Sequence, residues 1–371
     1  MVAEQGPGLR SNERTPHVAM EWMMQKLVML SLAALASGFS NVSLAGDEPP
    51  AVTLDLASTF PGTMTILGDA AHDLAERVKR ATGGKFVFKF YEPGKLVPAA
   101  ETLNAVAAGK VAAAWAGAGW LSNKDSAFNF FSSVPFGPGM GEYMAWLYEG
   151  GGLELAREMF HAHGVHNIPC GLIPPEASGW FRKEIKTPAE LKGLKMRIFG
   201  LGALVMQKFG VSTQQDAPGE ILAKLKDGSL DAAEFSLPAM DQPLRLYEVA
   251  QYYYFPGWHQ QSTLFDLDIN LAVWESLDDR YKATIELACG DIMREMIAKG
   301  EALQGAAIKE MQAEGVEVRR WPPRVLVAME DGWNEVVVEE SAKNPNFKRV
   351  YDSYAGFREN YKIWRYLSYL N

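Results

Sequence analysis

Three stretches of this chain gather residues whose types could do chemistry. Glu176-Ala177-Ser178-Gly179-Trp180-Phe181-Arg182 follows Pro174-Pro175, and Gly193-Leu194-Lys195-Met196-Arg197-Ile198 sets a guanidinium inside an apolar, strand-like run. The third, Tyr252-Tyr253-Tyr254-Phe255-Pro256-Gly257-Trp258-His259-Gln260, is an aromatic block. The planar fork of Arg197 suits a carboxylate, because it offers two parallel charge-assisted hydrogen bonds. Aromatic walls around it would exclude water and strengthen the attraction. Judged by residue type alone, Arg197 is equally a surface ion-pair partner and the aromatics are equally ordinary core.

Other chemistry finds less support. The sequence has no G-x-S-x-G elbow, no H-E-x-x-H and no P-loop. Gly117 and Gly119 form a lone G-x-G without the third glycine that dinucleotide binding needs. His161, His163 and His166 could hold a transition metal. They straddle Gly164 past the helical stretch Leu153 to Phe160, however, where a solvated helix end complemented by histidine is expected. Cys170 and Cys289 exclude a CxxC redox site and a cysteine zinc site; a long-range disulfide and two buried thiols both remain open.

The elements that must position these residues read as alternating α and β. A chain of 371 residues is too long for one comfortable core, and 48% hydrophobic with 22% charged residues is the balance of a soluble globular protein. A net charge of −9 and no basic cluster argue against nucleic acid as a partner. Val52 to Ala57 alternates like a half-buried strand, Ala70 to Ala81 carries helical spacing up to Gly83-Gly84, and Lys85 to Phe90 reads as the next strand. Glu101 to Ala114 (ETLNAVAAGKVAAA) and Glu220 to Ala233 (EILAKLKDGSLDAA) share one pattern: an amphipathic helix, a glycine, a short buried strand. Two such copies fit two similar α/β lobes, with the chain crossing between them near Cys170 to Ile173 and Gln260 to Asn270. Beyond Asn270 the pattern is mainly helical: Leu277 to Gly300, Glu301 to Gly315, Arg324 to Ser341 and from Lys348 onward, with Val316 to Val318 a short strand.

The start of the chain carries an export signal. Lys26 precedes the apolar run Leu27 to Ala36, and Ser43-Leu44-Ala45 supplies small residues before a cut after Ala45. Initiation at Met20, Met23 or Met24 would shorten the polar leader. The domains expected are a signal over 1–45, one lobe from 46–172 plus about 261–300, and a second from 173–260 plus about 301–371 with the C-terminal helices.

A set of short segments in order then carries a family resemblance. They are Leu56-Ala57-Ser58-Thr59-Phe60-Pro61, Gly94-Lys95-Leu96-Val97-Pro98, Val134-Pro135-Phe136, Gly179-Trp180-Phe181-Arg182, Gly193-Leu194-Lys195-Met196-Arg197, Asp231-Ala232-Ala233-Glu234, Tyr252 to Trp258, and Asn344-Pro345-Asn346-Phe347. Together the chain resembles the periplasmic receptor subunits of tripartite ATP-independent periplasmic (TRAP) transporters, in the branch that binds 2-oxo acids and related monocarboxylates. The resemblance implies an α/β, two-lobed periplasmic binding fold with a cleft between lobes, a helical C-terminal region and hinge closure on the ligand. It implies a periplasmic receptor without catalysis, delivering a small organic acid to TRAP membrane permease subunits.

Carried over by position, Arg197 pairs with the substrate carboxylate, and Glu176, Trp120, Phe235 and Trp258 border the substrate. Glu176, Glu234, Phe235 through its carbonyl, and Gln260 hold a bridging cation, Na⁺ or Ca²⁺. The sequence departs from the branch twice here, with glutamate at 176 where glutamine is expected and glutamine at 260 where glutamate is expected. Charge supports the cation independently: two glutamates and a bound carboxylate face one guanidinium, and the surplus inside a closed cleft would cost several kcal/mol. Arg182 is the alternative partner for Glu176. Asp266 and Asp268, on one strand face, suggest a ligand larger or differently substituted than pyruvate, as do Leu172 and Leu121-Ser122 where the branch differs. The chain stops where relatives continue with a swapping helix, so a monomer is expected. A secreted carboxylate-processing enzyme using Glu176 and Glu234, and a ligand-sensing subunit, are the competing readings.

Overall fold

The computed structural model describes residues 49–368, so the export signal and its cut after Ala45 lie outside the described residues. In chain order the strands are β1 Val52–Ser58, β2 Phe86–Tyr91, β3 Ala113–Ala116, β4 Val165–Ile173, β5 Gly179–Phe181, β6 Lys195–Arg197, β7 Ser212–Gln214, β8 Ala232–Ala233, β9 Tyr252–Phe255, β10 Thr263–Asn270 and β11 Glu317–Arg320. The α-helices are α1 Leu67–Ala81, α2 Thr102–Ala107, α3 Met140–Glu149, α4 Gly152–His161, α5 Gly200–Lys208, α6 Pro218–Lys226, α7 Pro238–Asp241, α8 Leu271–Ser276, α9 Asp279–Ala313, α10 Pro323–Lys343 and α11 Pro345–Ser368. The repeated unit is present in both copies, as α2–Gly109–β3 and α6–Gly228–β8, each glycine at positive φ.

These strands form two mixed sheets, one ordered β2-β1-β3-β10-β4 and the other β11-β9-β5-β8-β6-β7. In the first, β1 pairs in parallel with β2 and β3, whereas β10 runs antiparallel to β3 and β4. In the second, β5 runs antiparallel to β8 and β9, and the β6–β7, β6–β8 and β9–β11 pairs are parallel. The chain leaves the first sheet after Ile173, returns to it at Thr263, and reaches the second again at Glu317 after α9. The α/β class and the helical C-terminal region expected from the sequence are both present.

One helix departs from the sequence expectation. Residues 279–313 form a single helix of 35 residues rather than two separated at Gly300. Gly300 is there for packing: a Cβ at this position would lie 2.5 Å from Pro174 Cδ. The side-chain-free surface lets α9 touch the segment that leads into Glu176.

Cys170 on β4 and Cys289 on α9 are joined in a disulfide, which resolves the open choice between bridge and thiols. Both sulfur positions are fully buried among Ile168, Leu267, Ile285 and Ile292. A bridge spanning 119 residues restricts the unfolded chain strongly. The variant Cys170→Ala with Cys289→Ala should therefore lose about 2–4 kcal/mol of unfolding free energy. Urea denaturation followed by circular dichroism checks this, and an unchanged midpoint would contradict it.

Candidate functional site

Arg197 closes β6, a strand exposed at Lys195 and buried at both Met196 and Arg197. The guanidinium is only 3% exposed. Its Nη1 donates to the Glu234 carbonyl at 2.6 Å and to Glu234 Oε2 at 2.8 Å, and its Nε donates to the Asp216 carbonyl at 3.3 Å. The Phe199 and Phe235 rings lie 5.8 and 5.4 Å from its central carbon, within cation–π range. Among the described residues, none accepts from Nη2, which leaves one edge of the fork for an anion.

Glu234 follows β8, and its backbone N–H donates to the Arg197 carbonyl at 2.9 Å, so pairing between β8 and β6 fixes the ion pair. Glu176 arrives from the segment between β4 and β5. Its N–H donates to the Gln260 carbonyl at 3.2 Å, and its own carbonyl accepts from Gly257 N–H at 2.9 Å. That approach needs glycine at 257, since a Cβ there would lie 2.4 Å from the Glu176 carbonyl oxygen. The Glu176 carboxylate accepts from Ser236 Oγ at 3.1 Å. Glu176 is 2% and Glu234 0% exposed. Burial pushes the Glu176 carboxyl well above the ordinary carboxylate range, and the Glu234 and Asp241 charges push it further; the Ser236 hydrogen bond and Arg197 oppose them.

Glu176, Glu234 and His259 place one ligand atom each within 4.8 Å of one another, all buried. One edge of the Gln260 amide faces all three, at 3.1 Å from Glu176 Oε2, 3.1 Å from Glu234 Oε1 and 3.0 Å from His259 Nε2. Its other edge is held by Thr263 Oγ1 at 3.0 Å. With nitrogen at the inner edge, the amide donates to the two carboxylates. With oxygen there, four potential acceptors face one another, and a cation, or protons on Glu176 and His259, would hold them together. Two carboxylates, an amide oxygen and an imidazole are an oxygen-rich donor set, so these residues fit a hard cation. The exchanged pair, glutamate at 176 and glutamine at 260, thus sits across a single contact.

Glu176, Arg197 and Gln260 line a cavity with Phe60, Leu67, Gly117, Gly119, Trp120, Ser132, Phe199, Gln215, Phe235, Ser236, Thr263 and Phe265, whereas Glu234 and His259 are not among its lining residues. The walls come from both sheets and are mostly apolar around the polar cluster.

Several sequence expectations need correction. Trp258 is not part of this lining; it is buried against Phe136, with ring centroids 5.6 Å apart, because the turn after Gly257 aims Gln260 inward and Trp258 away. The tyrosines of the aromatic block are core: Tyr253 stacks on Trp180 and Tyr254 on Trp321. Arg182 does not reach Glu176; its Nε points at the Leu230 carbonyl, 3.4 Å away. Asp266 and Asp268 alternate with the lining residues Thr263 and Phe265 and leave β10 on the opposite face, so they do not enlarge the cavity. In the histidine group, His161 Nε2 and His166 Nδ1 meet at 2.9 Å while His163 turns to the Met159 carbonyl, and burial lowers His166 to about 3.

Sequence reasoning also missed members. His259 lay inside the aromatic block, adjacent to Gln260, and Phe199 lies two residues beyond Arg197, on the same side of an extended stretch. Asp241 lies behind Ser236. Its carboxylate accepts from Trp180 Nε1 at 2.8 Å, Tyr253 Oη at 2.9 Å and Ser236 N–H at 3.0 Å. Burial raises Asp241 to about 7 against the lowering effect of the Trp180 and Tyr253 hydrogen bonds.

Known proteins resemble this chain along most of its length. Bacterial extracellular solute-binding protein family 7 (DctP) matches residues 57–344. The monocarboxylate 2-oxoacid-binding periplasmic protein of Nostoc sp. is 33% identical over 357 residues, covering 94% of this chain and 98% of that protein. A TRAP transporter solute-binding protein from Bordetella bronchiseptica, crystallised with copurified calcium and picolinate, has a TM-score of 0.84 at 34% identity, over 86% of this chain and 95% of its own. A TRAP periplasmic solute-binding protein from Pseudoalteromonas atlantica, with bound sodium and pyruvate, has a TM-score of 0.82 at 29% identity, over 86% and 97%. Family match, relative and two-lobed fold agree: this chain belongs to the DctP family, the extracellular solute-binding receptors of TRAP transporters.

Proposed function

We propose that this receptor captures a small monocarboxylate of the 2-oxo acid class together with a hard cation, Na⁺ or Ca²⁺, and delivers it to TRAP membrane permease subunits. The observation that carries the reading is that Arg197, Glu176 and Gln260 line one mostly apolar cavity, with Glu234 and His259 buried against them. The exposed edge of Arg197 suits the ligand carboxylate. Glu176, Glu234, Gln260, His259 and the Phe235 carbonyl would hold the cation, which neutralises the surplus negative charge when bound. A 2-oxo acid suits that site because its carboxylate and keto oxygens are adjacent, and the phenylalanine walls suit an apolar side chain. The Bordetella and Pseudoalteromonas structures, with bound calcium and picolinate in one and sodium and pyruvate in the other, support the same pairing.

The protein acts without chemistry in this reading. Glu234 is engaged by Arg197 and Glu176 by Ser236, which suits groups held for binding. Export to the periplasm, with cleavage near Ala45, follows from the apolar run after Lys26 and from the extracellular family. Among the described residues no helix is long and apolar enough to cross a membrane.

Replacing Arg197 with Ala should weaken binding of pyruvate or a homologous 2-oxo acid by about 2–5 kcal/mol, since Glu234 and the ligand carboxylate both lose their partner. Removing calcium with chelator and sodium by dialysis should lower wild-type affinity as well. Titration calorimetry reads both; unchanged affinity in either case, or turnover of the bound acid, defeats the corresponding part of the proposal.

A pH dependence follows from Asp241. Its folded-state value lies near 7 against an ordinary 3.8, so between these values the folded chain binds more protons than the unfolded one. Stability contributed by this group is present at low pH and is lost as pH rises toward 7. In cation-free protein, urea midpoints should therefore fall between pH 4 and about 7, and Asp241→Asn should flatten that slope. An equally steep slope in the variant would remove Asp241 as its cause.

A further inference from the structure

The face of β10 turned away from the cavity holds a second polar group that the receptor function leaves unused. Asp266 and Asp268 are both 0% exposed, and among the described residues none of their four carboxylate oxygens has a hydrogen-bond partner. Directly across the strand pair from Asp268 lies Asn167 on β4, so its side chain leaves the sheet on the same face. Asn167 is 1% exposed, and its Oδ1 also lacks a partner among the described residues. On the other flank the register sets Ala116 beside Asp266 and Ala114 beside Asp268, so the neighbouring strand offers only methyl groups. The Tyr143 hydroxyl feels the Asp266 charge but is committed elsewhere, its Oη donating to the Phe130 carbonyl at 2.7 Å.

Five buried acceptor oxygens therefore lie on one face of two paired strands, and the Asn167 amide, which acts to lower Asp266, is the one side-chain donor acting on them among the described residues. Buried acceptors are rarely left in that state, and two buried carboxylates without a counter-charge are costlier still. Burial pushes both carboxyls well above the ordinary range, with the Asp266 charge adding to the shift at Asp268. The deficit is two negative charges and several oxygen ligands, which matches a divalent, oxygen-seeking ion in both charge and donor type.

We propose that Asp266, Asp268 and Asn167 form a second, structural cation site for Ca²⁺, on the face of the first sheet opposite the ligand cavity. Its place at the centre of that sheet, on the strand between β3 and β4, makes it a stabilising site rather than a binding site for the transported acid. It stands independently of the ligand reading, because none of its residues lines the cavity.

The test uses the full chain with Glu176→Gln and Glu234→Gln, which removes the carboxylates of the ligand site. Calcium alone is the probe, counted by equilibrium dialysis with metal analysis and by thermal unfolding. A single bound ion and a calcium-dependent rise in melting temperature are expected. Adding Asp266→Asn and Asp268→Asn, near-isosteric changes, should abolish both. Should that chain fail to fold, Asp268→Asn alone in the same background should weaken calcium binding at least about tenfold. Two results overturn the proposal: the Glu176→Gln, Glu234→Gln chain binds no calcium, in which case protons neutralise the aspartates, or the aspartate variants bind calcium as tightly as before.

Discussion

The structure depends on placing two carboxylates beside one guanidinium away from water. Glu176 and Glu234 are buried within reach of the same amide, and Arg197 contributes a single positive charge. In a low-dielectric interior such an excess is unstable unless hydrogen bonds hold every atom or a cation joins the group. Most of what surrounds the site serves the first purpose. The guanidinium is anchored by two backbone carbonyls as well as by its carboxylate, so its position does not depend on the ligand. Its free edge is what the arrangement leaves to an incoming anion, which makes the receptor preorganised on the arginine side and short of positive charge on the glutamate side.

Behind this contact, Asp241 ties the aromatic block to the site. Trp180 and Tyr253 stack at 3.8 Å and both donate to one Asp241 oxygen, while the other accepts from Ser236 N–H. Ser236 in turn holds Glu176. The aromatics thus act on the ligand site through a relay of hydrogen bonds from the core and form none of the cavity wall. A chain of satisfied polar groups in a dry interior resists distortion more than its members would separately. This is why a cluster of tyrosines reads as a binding surface by composition and folds as a support.

The sequence made some of this legible. Arg197 was legible as a charge inside an apolar strand-like run, because apolar patterning is a local property of a strand, but that pattern left a surface ion pair equally open. The repeated helix–glycine–strand units were visible for the same reason. Family resemblance brought Glu176, Glu234 and Gln260 together, which no spacing within the chain could do across 84 residues from Glu176 to Gln260. What failed was the choice of face after a turn. Trp258 and Gln260 share one short segment, and only the close packing of Gly257 against Glu176 decides which of them enters the cavity. His259 was hidden by the same turn. The disulfide stayed undecided because pairing of distant cysteines depends on where α9 lies against β4.

Strand β10 shows how tightly these local choices are linked. Thr263 and Phe265 face the ligand cavity, whereas Asp266 and Asp268 face the opposite layer, with a register irregularity between Phe265 and Asp266. A slip of one residue would exchange the two faces. It would carry carboxylates into a cavity that already holds Glu176 and Glu234, and would leave apolar rings opposite Asn167. Neither outcome could be repaired by small rotations, since the strand is paired on both sides, to β3 and to β4. The register of this central strand is therefore held from both faces at once. The constraint that keeps extra negative charge out of the ligand site is the same one that concentrates it behind the sheet.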